Sequence, residues 1–315
     1  MRLSDRIGYR MKLHDLHVLM TVAETGSMGK AAQRLNTTQP AVSRSVAELE
    51  HALGVRLLDR SRRGVEVTQY GRAFLACGIA VFDELRQGAR DIEFLSDPTT
   101  GEITIGGNEA FIAGPLAAVF DQLRRRHPGV AIHAKNLATP AEQYDALRER
   151  NVDLIFGRIP SVVESDIKAE HWFQNRLYVR AGLKNRWANS RRRRINLAEL
   201  VNEPWALPPR DTLIGSLAAE AFRASGVEFP RRGVATGSIH LLDALLAKGP
   251  YLAIVSDTIL QFSPNLPRLK VLPVDLPIPS WPVGIMTLKN RTISPVAKLF
   301  IDCAREVVKP LARAK

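Results

Sequence analysis

Cysteine and long apolar runs are scarce in this sequence, and each shortage excludes a class of protein. Cys77 and Cys303 are the only cysteines, too few for a disulfide framework or a zinc site. No run approaches about 18 apolar residues, so neither a membrane-spanning helix nor a membrane partner is predicted. The opening ten residues contain four charged side chains and no apolar stretch, unlike a secretory signal. A cytoplasmic protein is expected.

Sequence motifs of catalysis are missing as well. The chain has no H-E-x-x-H, G-x-S-x-G, Walker or G-x-G-x-x-G pattern. Its seven histidines do not cluster at the spacing of metal ligands. We therefore expect no enzymatic activity, no catalytic residues, no metal site and no cofactor.

Basic residues are plentiful by contrast. Lys and Arg number 44 against 32 Asp and Glu, which gives a net charge of +12. Such a surplus favours a polyanionic partner, although it also suits ordinary solubility.

The length of 315 residues suggests about two domains, at roughly 150 residues each. Hydrophobic periodicity is helical over residues 12–95. It then changes to short β runs that alternate with helical stretches, which predicts largely parallel sheets covered by helices. The β runs are 103–105, 130–132, 152–156 and 252–255, and the helical stretches are 111–126, 140–150, 212–224 and 238–248.

Residues 12–56 predict three short helices in a helix-turn-helix arrangement. Gly26 ends the first helix, and Ser27 is a good N-cap for the second. Thr38 can cap the third helix, where Pro40 costs no hydrogen bond. The third helix exposes Gln39, Ser43 and Arg44, which are side chains of the type that read base edges or hold phosphates. Two packed helices without any DNA contact are the alternative.

A basic hairpin follows the third helix. Residues 55–58 and 65–67 predict two strands, and the turn over 59–64 contains Arg60, Arg62 and Arg63. A hairpin of this charge after a helix-turn-helix is expected to contact the DNA backbone or the minor groove.

These residues closely resemble the LysR-type transcriptional regulators over about 60 contiguous positions. The resemblance implies a winged helix-turn-helix DNA-binding domain over residues 12–70, in an activator or a repressor that binds promoter operator DNA. Family members start close to the first helix, so residues 1–11 are expected to be an extension, and translation from Met1 or from Met11 remains open. The predicted DNA-binding residues are Thr38, Gln39, Pro40, Ser43, Arg44, Arg60 and Arg62. The matching motifs are Ala23-Glu-Thr-Gly-Ser27, Ala31-Ala-Gln-Arg-Leu35, Thr38-Gln-Pro-Ala-Val-Ser-Arg44, Leu53-Gly-Val55, Leu57-Leu-Asp-Arg60 and Thr68-Gln-Tyr-Gly71.

Residues 71–98 predict a linker helix that Thr68 can cap. Apolar side chains recur at alternate spacings of four and three, as in a coiled-coil seam, and Gly78 and Gly88 interrupt them. The same helix of a second subunit is the expected partner, and packing on the chain's own α/β domain is the alternative. The resemblance implies a homodimer through this helix, and family members are usually homotetramers. The predicted dimerisation residues are Phe74, Val81, Leu85, Ile92 and Leu95.

Residues 99–315 resemble the effector-binding portion of the same family, which is similar in fold to periplasmic solute-binding proteins. Lobe I is expected over 101–170 and 278–315, and lobe II over 171–277. The overall class is therefore multidomain α+β: a winged helix-turn-helix, a linker helix and a two-lobed α/β effector domain.

A cleft between the lobes is the expected ligand site, because open α/β sheets bind ligands beyond the carboxyl ends of their strands. Helix N-termini there attract carboxylates, so a small anionic organic metabolite is predicted. Plain helix capping is the alternative for Thr139 and Ser238, and an exposed loop position is the alternative for Arg158. A cytoplasmic solute-binding or enzymatic protein is the alternative for the chain as a whole. The predicted effector-binding residues are Asn108, Glu109, Ala110, Thr139, Arg158, Thr236, Ser238 and Ser256.

Overall fold

The computed structural model describes residues 11–61, 64–230, 233–262 and 269–313. The chain divides into two compact units, Met1–Ala89 and Arg90–Lys315. Among the described residues, no helix is both long enough and apolar enough to cross a membrane.

Three short helices open the first unit: α1 (Leu13–Thr25), α2 (Met28–Arg34) and α3 (Gln39–Leu53). Local capping chemistry sets their ends. Gly26 and Gly54 end α1 and α3 in the left-handed region, at φ 65° and 74°, where glycine carries no Cβ penalty. The hydroxyls of Ser27 and Thr38 accept hydrogen bonds from the third amide of the helix that each precedes.

The three helices enclose a small apolar core. Val18, Leu19 and Val22 supply the buried face of α1, whereas Leu13, in its first turn, is 51% exposed. Side chains of α2 and α3 complete this core, namely Met28, Ala31, Ala32, Val42, Val46 and Leu49.

The hairpin after α3 is shifted relative to its prediction. Strands β1 (Leu58–Ser61) and β2 (Gly64–Val67) pair antiparallel, with Leu58 opposite Val67. The expected turn over 59–64 was therefore too wide, and Arg60 lies on β1. The prediction ended the first strand at residue 58 because the next three residues, Asp59, Arg60 and Ser61, are polar and exposed. Arg62 and Arg63 lie outside the described residues.

A long helix, α4 (Gln69–Ser96), follows the hairpin. The hydroxyl of Thr68 accepts a hydrogen bond from the Gly71 amide at 3.0 Å, as the predicted cap requires. The predicted seam divides into two parts. Phe74 packs against the core of the three helices, and an ideal Cβ on Gly78 would lie 2.9 Å from Leu16 of α1. The distal part is exposed among the described residues, since Leu85, Ile92 and Leu95 are 51%, 67% and 79% exposed.

Two five-stranded sheets build the second unit. The first-sheet strands are β3 (Thr100–Gly107), β4 (Gly129–Asn136), β5 (Leu154–Arg158), β6 (Ile167–Asn175) and β12 (Trp281–Leu288). The second-sheet strands are β7 (Leu177–Ala181), β8 (Trp205–Leu207), β9 (Gly233–Ala235), β10 (Leu252–Ser256) and β11 (Lys270–Leu272).

The first sheet has the strand order β4-β3-β5-β12-β6 and the second β11-β7-β10-β8-β9. Both sheets are mixed rather than largely parallel, because β12 runs antiparallel to β5 and β6, and β7 runs antiparallel to β10 and β11.

Helices cover these sheets, and one predicted helix is broken. The stretch 111–126 divides into α5 (Glu109–Phe111), a π-helical turn (Ile112–Leu116) and α6 (Ala117–Arg126). Pro115 and the non-helical backbone of Gly114 cause the break. The remaining α-helices are α7 (Pro140–Arg148), α8 (Leu213–Ala224), α9 (Ile239–Lys248), α10 (Asp257–Phe262) and α11 (Pro295–Arg313), and short 3-10 turns span Arg186–Asn189 and Leu197–Leu200.

The chain crosses between the two sheets twice. A single residue, Arg176, separates β6 of the first sheet from β7 of the second. The chain returns between β11 and β12. The first sheet therefore continues to Asn175, beyond the lobe limit of residue 170 drawn from the sequence.

Candidate nucleic-acid interface and ligand cleft

The N-terminal end of α3 presents polar side chains to solvent. Thr38, Gln39, Pro40 and Arg44 are exposed, and Ser43 is half-buried. The opposite face of α3 is fixed in the core by Val42, Val46 and Leu49. The first turn of α3 contains no acidic residue, so its partial positive charge is not offset there. This end of α3 is suited to a negatively charged partner.

Glu50 ties the hairpin to α3. Its carboxylate accepts hydrogen bonds from the Leu57 and Leu58 amides at 2.8 and 3.2 Å. Bonds between a carboxylate and backbone amides are charge-assisted and strong. Glu50 lies near the carboxyl end of α3. The structure gives it a positioning role, because it sets β1 relative to α3. The exposed Arg60 is on that strand, whereas Arg62 falls outside the described residues.

A cleft of about 270 Å³ lies between the two sheets of the second unit. Its walls come from both lobes, since residues after β3 and β4 face residues of α8, α9 and β10. The lining residues are Asn108, Glu109, Ala110, Asn136, Ala138, Pro208, Thr212, Leu213, Ile214, Thr236, Gly237, Ser238, Ile239, Leu242, Ile254, Val255, Ser256 and Ile259.

The structure brings six of the eight predicted ligand residues together in this cleft: Asn108, Glu109, Ala110, Thr236, Ser238 and Ser256. Thr139 does not line it. The Thr139 hydroxyl caps α7, and the Glu142 carboxylate accepts hydrogen bonds from the Ala138 and Thr139 amides at 2.8 and 3.1 Å. A carboxylate of the chain therefore already occupies the N-terminus of α7.

Arg158 also lies outside the cleft lining. It ends β5 opposite Val283 of β12, and it is half-buried rather than an exposed loop residue. Its Nε is buried, and no described residue accepts a hydrogen bond from it. Burial lowers the pKa of this guanidinium.

The sequence analysis predicted a helix over 212–224 but did not place its start, at Thr212, in the ligand cleft. The Thr212 hydroxyl accepts a hydrogen bond from the Gly215 amide at 3.2 Å, and α8 begins in the cleft wall. The available signal was a capping residue ahead of an apolar helix, the pattern that identified Ser238. The preceding strand, β8, has only three residues, and its shortness concealed the junction.

Two helix N-termini of lobe II therefore meet in the cleft. Thr212 and Ser238 bind the third amide of α8 and α9, respectively. No described residue accepts a hydrogen bond from the first two amides of either helix, at Leu213, Ile214, Ile239 and His240. Unpaired amides at a helix N-terminus attract anionic groups.

A buried polar chain connects the cleft wall to the strand crossing. Ser256 lies 2.7 Å from the Thr258 hydroxyl, and the Asn175 amide donates to that hydroxyl at 3.3 Å. Asn175 is the last residue of β6, immediately before the crossing at Arg176. All three side chains are at least 96% buried. One hydrogen-bond network thus joins the cleft wall to the point where the chain crosses between the two sheets.

In the described part of the chain, no three or more His, Cys, Asp or Glu side chains lie close enough together to hold a metal ion. Cys77 is exposed and Cys303 is buried, and both are free thiols. Burial raises the pKa of Cys303, which makes it a poor nucleophile.

Two family models match the chain. The model described as "Bacterial regulatory helix-turn-helix protein, lysR family" matches residues 13–72. The model described as "LysR substrate binding domain" matches residues 96–309. Together they cover both units of the fold.

Similar curated proteins are transcriptional regulators by name. The regulator GbpR of Azospirillum brasilense is 28% identical over 311 residues, covering 94% of this chain and 86% of the relative. The transcriptional dual regulator GltC of Bacillus subtilis is 26% identical over 294 residues, covering 93% of this chain and 96% of the relative.

Solved structures share the fold. A full-length OxyR variant from Pseudomonas aeruginosa has a TM-score of 0.66 at 22% identity, covering 98% of this chain and 99% of that one. Full-length CbnR in complex with its target DNA has a TM-score of 0.53 at 22% identity, covering 94% and 99%. With one family model covering more than half of its length and the helix-turn-helix model matching its N-terminal part, this chain belongs to the LysR family of transcriptional regulators.

Proposed function

We propose that this LysR-type regulator binds operator DNA as a dimer and that a small organic metabolite with an anionic group controls it from the cleft. It acts by binding rather than by catalysis. The observation that carries the proposal is the composition of the cleft, because residues of both lobes line the same cavity. A ligand that touches both lobes binds one closure state better than another, and only such a difference can shift the DNA-binding arrangement.

The cleft chemistry supports an anionic group on the ligand. The free amides at the starts of α8 and α9 belong to two separate helices of lobe II, and their partial positive charges add. Most of the remaining wall is apolar, including Ile214, Ile239 and Ile254. A carboxylate on a compact hydrocarbon body meets both requirements.

The distal part of α4 supports dimerisation. Leu85, Ile92 and Leu95 form an exposed apolar stripe at coiled-coil spacing. Pairing of α4 with a second copy covers this stripe and presents two α3 helices to two half-sites of an operator.

Ser238→Trp tests the control site. The indole fills the cleft, so reporter expression from the operator stops responding to growth media that supply different organic acids, while operator affinity measured by fluorescence anisotropy stays within about twofold. Thr139→Trp is the matched control, since it also removes a helix cap but lies outside the cleft lining. A Ser238→Trp protein that responds like the wild type contradicts the proposed site.

A further inference from the structure

Glu109 is the one charged residue among the described residues that line the cleft. It lies on lobe I, at the start of α5 and two residues after β3, whereas the free helix amides lie on lobe II. The two walls therefore differ in sign. One wall carries a carboxylate and the other carries the partial positive charges of two helix starts.

The backbone beneath Glu109 is well anchored. The Asn108 side chain accepts a hydrogen bond from the Phe111 amide at 3.3 Å, and Phe111 is buried against Phe156 with their ring centroids 5.5 Å apart. The Glu109 side chain itself is half-buried, and no described residue donates a hydrogen bond or an ion pair to its carboxylate. A carboxylate without a described partner, on an anchored backbone, thus lines the ligand space.

This carboxylate restricts which anionic ligands fit. A ligand with only negative charge brings like charges together in about 270 Å³ with no described cationic side chain to compensate. Like charges in a partly desolvated space repel strongly. A ligand that also carries a hydrogen-bonding cation gains a charge-assisted partner instead.

Building on the proposed function, we infer that the ligand is an amino acid whose ammonium group pairs with Glu109 while its carboxylate binds the starts of α8 and α9. Its hydrocarbon side chain lies against the apolar wall formed by Ile214, Ile239 and Ile254. The two charged ends then contact opposite lobes. Glu109 becomes a specificity-determining residue that separates amino acids from simple carboxylic acids.

The test uses matched probes on the full-length chain. Each of the protein amino acids is compared with the 2-hydroxy acid and the unsubstituted acid of the same carbon skeleton, for example leucine, 2-hydroxy-4-methylpentanoate and 4-methylpentanoate. Isothermal titration calorimetry measures the affinities. We expect at least one amino acid to bind about tenfold or more tightly than its two partners, which is the scale of one charge-assisted hydrogen bond.

Three variants assign the effect. Glu109→Gln removes the charge with little change in shape, and it lowers the affinity for that amino acid about tenfold while the affinity for the simple acid stays equal or rises. Glu220→Gln, which removes an exposed charge of α8 outside the cleft lining, leaves all affinities unchanged. Ser238→Trp abolishes binding.

The outcomes separate this inference from the proposed function. If simple acids or hydroxy acids bind as tightly as amino acids, or if Glu109→Gln has no effect, the amino-acid inference is wrong and the cleft still binds an organic acid. If no amino acid binds, the inference is also wrong. Binding that persists in Ser238→Trp places the ligand elsewhere and contradicts the proposed function itself.

Discussion

Arg34 and Arg44 both lie on helices of the DNA-binding unit, but their surroundings differ. Arg34 pairs with Glu24 at 2.9 Å. Arg44 has no acidic partner among the described residues, and it projects from the exposed face of α3. A guanidinium without an internal partner retains all five donors for a base edge or a phosphate. The formal charge of the two residues is therefore the same, while their availability to DNA is not.

Arg44→Ala should weaken binding to the preferred operator by about 1–3 kcal/mol, the range for a bidentate contact between arginine and guanine. Discrimination at one operator position should relax at the same time. Fluorescence anisotropy on duplexes selected from a random library, with single-base variants, measures both effects. Arg34→Ala is the control and should change affinity much less. Wild-type affinity and specificity in Arg44→Ala would show that α3 does not read the operator in this way.

Individual cleft residues can be predicted from the sequence where the order and direction of strands and helices alone set their position. Asn108, Ser238 and Ser256 lie at the ends of elements that border the cleft between the two sheets, so the order of elements in the sequence was enough to predict them. Thr139 obeys the same rule, and its neighbour Ala138 does line the cleft. The Thr139 hydroxyl caps its own helix, as the Ser238 hydroxyl does, but at this helix the Glu142 carboxylate also accepts from the Ala138 and Thr139 amides. Residue order does not specify which of two capped helix starts remains open to a ligand.

At the scale of elements, the two halves of α4 have different surroundings. Its first half packs on α1, where His17 and Phe82 lie 5.6 Å apart between ring centroids. Its second half exposes Leu85, Ile92 and Leu95. A uniform heptad pattern in the sequence does not reveal this division, because an apolar side chain fits an intramolecular and an intermolecular contact equally well.

Leu85→Asp should shift the protein from dimer to monomer, since it places a charge in the apolar seam, where desolvation is costly. Sedimentation velocity over a range of protein concentrations measures the change. Arg86→Asp adds the same acidic side chain at an exposed neighbouring position and should leave the dimer intact. A dimeric Leu85→Asp protein would assign the stripe to a different contact.

The helices of the first unit were easier to predict than the sheets of the second. Caps at Ser27, Thr38, Gly26 and Gly54 act within a few residues, and they set the helix limits directly. In the second unit, β12 returns from more than a hundred residues away and pairs antiparallel with β5 and β6. Local periodicity carries no information on that pairing, so the antiparallel character of the sheets was missed.

At the scale of the molecule, each unit has its own apolar core. The core of the first unit consists of residues between Val18 and Leu58, and the main core of the second begins at Ile103. Separate cores predict separate cooperative unfolding transitions.

Gly71→Ala should lower the unfolding temperature of the first unit alone. An ideal Cβ at Gly71 lies 2.1 Å from the Leu57 carbonyl oxygen and 2.7 Å from Val67, and overpacking of this kind costs about 1–3 kcal/mol. Differential scanning calorimetry resolves the two transitions. Gly88→Ala, with no atom within 4 Å of its added Cβ, is the control and should not destabilise either unit. A single transition that shifts as a whole would contradict independent cores.

The polar chain behind the cleft has Thr258 at its centre. The Asn175 side-chain amide donates to the Thr258 hydroxyl, while the Asn175 side-chain oxygen accepts from the Thr258 and Arg176 backbone amides. Ser256 and Thr258 share the next hydrogen bond, in which either hydroxyl can donate. Two hydrogen bonds in series therefore connect the last residue of β6 to the cleft wall, and loss of the single Thr258 hydroxyl removes both of them.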